Sequence, residues 1–93
     1  MAYHILYSET SRKQIRRLHP QIKSAIKSSI EKLQENPFTG KRLEKEISGY
    51  LSIRMKRLRI IYKVNEDDHN VEIYHVGHRK DIYELFRDSI SKD

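Results

Sequence analysis

The amino-acid sequence predicts an α+β domain in which two N-terminal helices pack on one face of a small antiparallel-rich sheet. Two patterns lead to this prediction. Apolar residues recur at helical spacing between residues 20 and 33, and they alternate with polar residues between 50 and 76. A length of 93 residues suits one domain, residues 1–93. The predicted order of elements is β-α-α-β-β-β-α.

The first half of the chain supplies one strand and both packing helices. The apolar and aromatic run 3–7 predicts the strand, and the polar residues 8–11 are candidate helix caps. A first helix follows from Ser11, and Pro20 ends or restarts it because proline lacks a backbone N–H. An apolar stripe then predicts the second helix: Ile22, Ala25, Ile26, Ile30 and Leu33. Residues 36–40, with a proline and a glycine, end that helix.

The second half of the chain changes to the period of a strand. Residues 50–55, 58–64 and 71–76 alternate in polarity, and the polar turn 65–70 separates the last two runs. We therefore expect three strands in a meander, with Val71, Ile73 and His75 on one face of the last strand. After Gly77, apolar residues return at helical spacing and predict a short, acidic amphipathic helix: Ile82, Leu85, Phe86 and Ile90.

The composition excludes several classes of function. The chain has no cysteine, which excludes a disulfide scaffold, an iron–sulfur cluster, a cysteine-ligated zinc site and a thiol nucleophile. No apolar run approaches the roughly 20 residues that span a bilayer, and the N-terminus lacks the pattern of a signal peptide. We therefore expect a cytoplasmic protein without a membrane partner. The net charge of +6 favours a polyanionic or acidic partner.

The basic residues fall in two segments of different character. Residues 11–32 contain seven Lys and Arg against one Glu, at the spacing of a solvated helix face. Residues 41–63 contain eight against two Glu, interleaved with β-branched and aromatic residues. The predicted strands place polar and basic residues of this second segment on the sheet face away from the helices: Ser52, Arg54, Lys56, Arg59 and Lys63.

This face carries the groups that cleave RNA without a metal. Arg54 and Arg59 are neighbours across a tight turn, so two guanidinium groups can meet one phosphodiester. His78 follows the last strand and Tyr83 lies one helical turn further, which adds an imidazole and a phenol for proton transfer. Each residue also has a structural interpretation: solvated cations on an open sheet, a loop histidine, and a tyrosine packed beside Phe86.

Two further surfaces are predicted from the sequence, a polar turn and an apolar patch. The sequence Glu66-Asp67-Asp68-His69 lacks metal-ligand spacing and is interpreted as a solvated hairpin turn. The residues Ile61, Tyr74 and Val76 are expected to be exposed beside the basic face and the acidic last helix. An acidic amphipathic segment of a partner would find complementary charge there.

Four motifs together resemble the RelE/ParE superfamily of bacterial and archaeal toxins over nearly the whole chain. They are Glu35 to Leu43, Gly49 to Arg54, Leu58 to Val64, and the ending Val76-Gly77-His78-Arg79-Lys80-Asp81-Ile82-Tyr83. The tyrosine ending is similar to the RelE branch. The resemblance implies a RelE-like, microbial RNase-type fold and the toxin of a type II toxin–antitoxin system.

Resemblance to RelE implies a ribosome-dependent, metal-independent endoribonuclease, an mRNA interferase. Such a toxin cleaves mRNA in the ribosomal A site, inhibits translation and arrests growth. Its implied partners are a 70S-type ribosome, mRNA and a cognate RelB-like antitoxin with an acidic wrapping segment, and it needs no cofactor. The alternatives are a ParE-like inhibitor of DNA gyrase without RNase activity and a catalytically inactive binding module.

The resemblance also implies roles for Arg54, Arg59, Arg79 and Tyr83, and the basic face itself adds His78, Lys56, Arg57 and Lys80. Catalysis is expected to involve Arg59, Arg79, Tyr83 and His78, with Arg54, Lys56, Arg57 and Lys80 binding the RNA backbone and no metal taking part. Two positions depart from the family pattern: Ser52 stands where many members have a basic residue, and Lys56-Arg57-Leu58 replaces a Gly-Asp-Tyr turn. Lys56 is expected to supply the charge that Ser52 lacks.

Overall fold

The computed structural model describes residues 2–78 and 82–90, and it confirms the α+β class. The strands are β1 (His4–Tyr7), β2 (Lys41–Arg42), β3 (Leu51–Met55), β4 (Leu58–Asn65) and β5 (Asn70–His78). The helices are α1 (Glu9–Arg16), α2 (Pro20–Glu31) and α3 (Ile82–Ile90). Short 3-10 turns cover Lys32–Gln34, Pro37–Thr39 and Lys45–Ile47. The sequence pattern did not predict these turns or the two-residue strand β2, which are too short to show a period.

The five strands form one sheet in the order β1-β5-β4-β3-β2. β1 pairs with β5 in parallel, and the other three pairings are antiparallel. The sheet is therefore antiparallel-rich, as expected, with one parallel edge strand. Within the described ranges, no helix has both the length and the apolar character to cross a bilayer.

Side-chain caps fix where both N-terminal helices begin. The Oγ of Ser8 accepts a hydrogen bond from the backbone N–H of Ser11 at 3.0 Å, which satisfies a free donor in the first turn of α1. α2 begins at Pro20, and the Nδ1 of His19 accepts from the N–H of Gln21 at 3.3 Å. Pro20 thus starts α2, where its missing N–H removes no helical hydrogen bond.

The main core lies between the two N-terminal helices and one face of the sheet. α1 contributes Ile15, and α2 contributes Ile26 and Ile30, which lie at predicted stripe positions. Ile22, also expected in the stripe, is 37% exposed. The sheet contributes Leu51, Leu58, Ile60, Tyr62, Val71, Ile73 and Val76. Burial of this apolar surface holds the helices against the sheet.

A second apolar cluster lies on the opposite face of the sheet, under α3. It joins Ile61 and Ile47 to Ile82 and Phe86 of α3. The expectation that Ile61, Tyr74 and Val76 are exposed is wrong: Ile61 is 0% and Val76 4% exposed, and Tyr74 packs against the cluster. α3 occupies the surface that was expected to receive a partner.

A β-bulge explains the burial of Val76 in the main core, whereas Ile61 and Tyr74 are covered by the cluster under α3. Tyr62 pairs with Ile73 but Ile61 pairs with His75, so Tyr74 is an extra residue in β5. After this extra residue, each side chain of β5 lies on the sheet face opposite to the one that simple alternation predicts. His75 therefore shares the face of Ile61, and Val76 turns to the main core, which is the opposite of the predicted arrangement.

α1 covers the edge of β5 beyond the end of β1. The hydroxyls of Ser8 and Ser11 donate to the carbonyls of Tyr74 and Ile73, each at 3.0 Å. The Oε1 of Gln14 accepts from the N–H of Val76 at 2.7 Å. Side chains of a helix thus complete the hydrogen bonds that a neighbouring strand would otherwise make.

Candidate functional site

The β3–β4 hairpin brings two arginines together. Arg54 pairs directly with Arg59, and a two-residue turn of Lys56 and Arg57 joins the strands. Lys56 has a φ of 57°, the left-handed region that a tight hairpin turn requires. The Nε of Arg54 donates to the carbonyl of Lys56 at 3.2 Å, which ties that guanidinium to the turn.

A groove with a volume of about 370 Å³ runs beside this pair. We call it the arginine groove; it is lined by Thr39, Gly40, Lys41, Ser52, Ile53, Arg54, Arg59 and Tyr83. Three of these residues are cations and none is acidic. The groove is therefore suited to an anion such as a phosphodiester.

Arg59 has an unused hydrogen-bond donor. Its Nη1 atom is buried, and within the described parts of the chain it has no hydrogen-bond partner. Buried polar groups are nearly always paired, and leaving one unpaired costs roughly 1–3 kcal/mol. Arg59 also lines the groove, so its guanidinium charge lies beside any anion bound there.

Tyr83 reaches the same groove from α3. Its hydroxyl lies 3.2 Å from the Oγ of Ser52, and one hydroxyl donates to the other. Ser52 is 5% exposed, so its hydroxyl holds the phenol from a fixed strand position. Ser52 thus contacts the tyrosine and supplies no charge to the groove.

Tyr62 of the main core is hydrogen-bonded to the rim of the arginine groove at Gly40. Its buried hydroxyl donates to the carbonyl of Pro37 at 2.7 Å and accepts from the N–H of Gly40 at 3.0 Å. A Cβ on Gly40 would lie 2.5 Å from the Tyr62 hydroxyl and 2.8 Å from the carbonyl of Ser52. Only glycine fits there, and burial raises the pKa of Tyr62, which keeps its hydroxyl a donor.

The structure brings three of the expected site residues into one groove: Arg54, Arg59 and Tyr83. Lys56 and Arg57 are exposed in the hairpin turn and do not line the groove. Arg79 and Lys80, both expected at the site, lie outside the described residues.

His78 and Lys63 are placed away from the groove. His78 pairs with Leu58, one residue before Arg59, so the pleat directs it to the opposite face of the sheet. The ammonium group of Lys63 lies 5.6 Å from the centre of the Tyr50 ring. Neither residue lines the groove.

Sequence reasoning missed the contribution of the segment before β3. Thr39, Gly40 and Lys41 line the groove because β2 pairs with β3 through Lys41 and Ser52. In the sequence, Pro37 and Gly40 marked the end of a helix and part of a family motif, and neither reading placed them at the groove. Their roles depend on Tyr62, which lies far away in the chain.

The turn at residues 66–69 has the geometry of a hairpin connection. The N–H of Asp68 donates to the Oδ1 of Asn65 at 3.1 Å. Over the described ranges, no group of three or more His, Asp or Glu side chains is arranged to hold a metal ion.

The fold is that of a known class of toxin. Residues 5–83 match the family described as the ParE toxin of the type II toxin–antitoxin system, parDE. The chain therefore belongs to this family, within the RelE/ParE superfamily, and is a toxin of a type II toxin–antitoxin system.

Individual relatives are RelE-type toxins. Toxin RelG of Mycobacterium tuberculosis (strain ATCC 25618 / H37Rv) is 32% identical over 85 residues, covering 89% of this chain and 98% of RelG. Toxin RelE of the same strain is 29% identical over 85 residues, covering 89% of this chain and 88% of that toxin.

Solved structures agree with the fold. A chain of the toxin–antitoxin complex RelBE2 from Mycobacterium tuberculosis matches with a TM-score of 0.79 and 28% identity, covering 85% of this chain and 100% of that one. A mutant of E. coli toxin RelE in the free state matches with a TM-score of 0.81 and 20% identity, covering 99% and 98%. At that identity, the E. coli structure supports the fold alone.

Proposed function

We propose that this toxin is a ribosome-dependent, metal-independent endoribonuclease that cleaves mRNA in the ribosomal A site and so inhibits translation. One observation carries the proposal: Arg59 and Tyr83 line the same groove, which contains three cations and no acid. These are the groups needed to bind a phosphodiester and to move protons beside it. Sequence similarity to RelG and RelE toxins supports the same activity.

The proposed reaction is a transesterification within the RNA. The 2′-oxygen attacks the adjacent phosphorus and the bond from phosphorus to the 5′-oxygen breaks, giving a 2′,3′-cyclic phosphate and a 5′-hydroxyl. A base takes the proton of the 2′-hydroxyl and an acid gives one to the leaving oxygen. Arg59 and Arg79 stabilise the negative charge that develops on the phosphoryl oxygens.

Other residues bind the substrate or transfer protons. Arg54, Lys56, Arg57 and Lys80 hold the flanking RNA backbone in this proposal. Tyr83 is the proton carrier that the groove geometry favours. His78 is the alternative carrier, and it would need a substrate that extends around the end of β5.

The proposal includes the ribosome because the arginine groove is too small to position an mRNA alone. A volume of about 370 Å³ has room for little more than one nucleotide, so the groove alone offers few contacts to position a message. The ribosomal A site would supply the remaining contacts. We also propose an antitoxin partner, since related toxins are known in complex with antitoxins. A cytoplasmic location is part of the same proposal because mRNA and ribosomes are found there.

The test is to map mRNA ends after induction of three variants: Arg59→Ala, Arg79→Ala and Tyr83→Phe. Each is expected to reduce cleavage by about 100-fold, since each removes a group that acts in the transition state. Arg17→Ala is the matched control because Arg17 is exposed at the end of α1, outside the groove. Undiminished cleavage in all three variants would exclude the proposed site.

A ParE-like inhibitor of DNA gyrase is the second candidate. It is favoured by the family match and by Ser52, which replaces a basic residue of RNA-cleaving members. Following mRNA integrity and DNA supercoiling in one induced culture separates the two. Intact message with altered supercoiling would identify the gyrase inhibitor, and neither change would identify an inactive binding module.

A further inference from the structure

Lys41 is a cation of the arginine groove to which the proposed reaction gives no role. The other two cations that line this groove, Arg54 and Arg59, already contact the RNA in the proposal above. Lys56, which was expected to supply the charge that Ser52 lacks, lies in the hairpin turn and does not line the groove. The charge on the β2 side of the groove therefore comes from Lys41.

The pairing of β2 with β3 directs Lys41 into the groove. Lys41 pairs with Ser52, and its neighbour Arg42 pairs with Leu51. Residues that pair directly place their side chains on the same face of a sheet, and successive residues alternate between the two faces. Ser52 lines the arginine groove, whereas Leu51 belongs to the main core. Lys41 thus faces the groove, and Arg42 faces away from it and lines a different pocket.

Lys41 and Arg59 lie on opposite sides of the groove. The sheet order places β3 between β2, which carries Lys41, and β4, which carries Arg59. Lys41, Ser52 and Ile61 form one row across the three strands, and Arg54 pairs with Arg59 in the next row on the same face. Two such rows are roughly 7 Å apart. An anion above β3 would therefore have a guanidinium group on one side and an ammonium group on the other.

The backbone that carries Lys41 is hydrogen-bonded on both sides of it. The N–H of Gly40 donates to the hydroxyl of Tyr62 at 3.0 Å, and the N–H of Leu43 donates to the carbonyl of Tyr50 at 2.9 Å. The side chain of Lys41 is exposed, and among the residues that the structure describes it forms no ion pair. An ammonium group on a well-anchored strand is thus available to an anionic ligand.

We propose that Lys41 binds the phosphate that is cleaved, from the side of the groove opposite Arg59. Its ammonium group contacts a non-bridging phosphoryl oxygen, which gains negative charge as the 2′-oxygen attacks, and stabilises that charge. Lysine suits this position because its ammonium is a compact point charge on a flexible stem. The assignment rests on the RNA-cleaving function proposed above and adds a catalytic residue to it.

The kinetics of mRNA cleavage on ribosomes test this assignment. The variants are Lys41→Gln and Lys41→Arg, and the matched control is Arg42→Gln, which removes one charge from the next residue on the opposite face. Lys41→Gln is expected to lower kcat and kcat/KM by about 10-fold, because the lost contact strengthens in the transition state. Lys41→Arg keeps the charge and should restore most of the activity. Arg42→Gln should cleave like the wild type.

Two kinetic results would overturn the assignment. A higher KM for Lys41→Gln with unchanged kcat would show that Lys41 contacts only RNA that flanks the cleaved phosphate. Equal losses in Lys41→Gln and Arg42→Gln would show a general effect of net charge. Circular dichroism of each variant checks that the chain is folded, so a loss of activity is not mistaken for a loss of structure.

Binding of an RNA that cannot be cleaved separates this assignment from the RNase proposal. The probe is a short single-stranded RNA with 2′-O-methyl groups, which lacks the attacking hydroxyl. Loss of one phosphate contact is expected to reduce the slope of log affinity against log salt concentration by about 0.7 in Lys41→Gln and not in Arg42→Gln. An unchanged slope in Lys41→Gln would show that Lys41 contacts no phosphate. If the wild type cleaves no mRNA and the slope still falls in Lys41→Gln alone, the RNase proposal fails and the phosphate contact of Lys41 stands.

Discussion

The hydroxyl groups of Ser52 and Tyr83 lie 3.2 Å apart and join β3 to the first turn of α3. The two residues are 31 positions apart in the chain. Their contact places the Tyr83 phenol in the arginine groove, which Arg59 also lines. The packing of α3 on the sheet and the geometry of the arginine groove are thus linked through one hydrogen bond.

Ser52→Ala is expected to reduce mRNA cleavage by about 10-fold while leaving the fold intact. The change removes the partner that fixes the phenol, and such a hydrogen bond contributes roughly 0.5–1.5 kcal/mol. Cleavage rates of Ser52→Ala, Tyr83→Phe and the double variant provide the measurement. Because the two residues act through one contact, the effects should be less than additive. Fully additive effects would show that Ser52 does not act through Tyr83.

Arg59→Gln is expected to leave the free energy of unfolding unchanged or to raise it by about 1 kcal/mol. The variant removes a buried donor that the described structure leaves unpaired, and unpaired donors are destabilising. Urea denaturation measures this, with Arg57→Gln as an exposed control. Inorganic sulfate should stabilise the wild type more than Arg59→Gln, because an anion in the groove binds only the folded state. Equal stabilisation of both proteins would argue against an anion site at Arg59.

Tyr62→Phe is expected to lower the free energy of unfolding by about 1–3 kcal/mol, because the groups it bonded, the Pro37 carbonyl and the Gly40 N–H, lose a buried partner. Gly40→Ala should also destabilise, since its Cβ meets the Tyr62 hydroxyl. In the double variant the Phe ring lacks that oxygen, so part of the alanine's cost should disappear. Chemical denaturation of the four proteins measures the coupling, and a coupling energy of zero would contradict the described rim.

The stability of the fold is expected to decrease below about pH 6.5 through His75. Burial lowers the pKa of this side chain below its usual value of 6.5. Its Nε2 lies 3.0 Å from the Nε2 of Gln14, whose Oε1 already accepts from Val76, so the ring must be neutral to accept this bond.

The direction of this pH effect depends on whether the folded or the unfolded chain binds the His75 proton more tightly. Above the unfolded-state pKa both states are neutral and the stabilisation is complete. As the pH falls toward the lower folded-state pKa, the unfolded chain binds a proton that the folded chain resists, and the free energy of unfolding decreases. Comparing the pH dependence of stability in wild type and His75→Gln isolates this contribution. Parallel curves between pH 5 and 8 would refute it.

Periodic patterns predicted the elements that have enough residues to show a period. The stripe of α2, the alternation in β3 and β4, and the tight turn at Lys56 and Arg57 are all present in the structure. Arg54 and Arg59 were placed together correctly because only a short hairpin separates them. Local geometry determined these features, so a local pattern was sufficient to find them.

The incorrect or missed predictions concern features that depend on contacts between residues far apart in the chain. The bulge at Tyr74 depends on the register between β4 and β5, and one extra residue moved His75 and Val76 to faces opposite to those predicted. The contact of Ser52 with Tyr83 and the bonds of Tyr62 to the rim join residues more than 20 positions apart. Such long-range contacts leave no periodic pattern in the amino-acid sequence.

The hydrogen bonds from α1 to β5 also set how much the length of each segment can vary. Ser8 at the N-cap of α1, and Ser11 and Gln14 within the helix, all bond to the backbone of β5 between Ile73 and Val76. One inserted residue between Ser8 and Ser11 would rotate the later two away by about 100° and break several bonds at once. The spacing from Ser8 to Gln14 should therefore stay constant among proteins that share this edge.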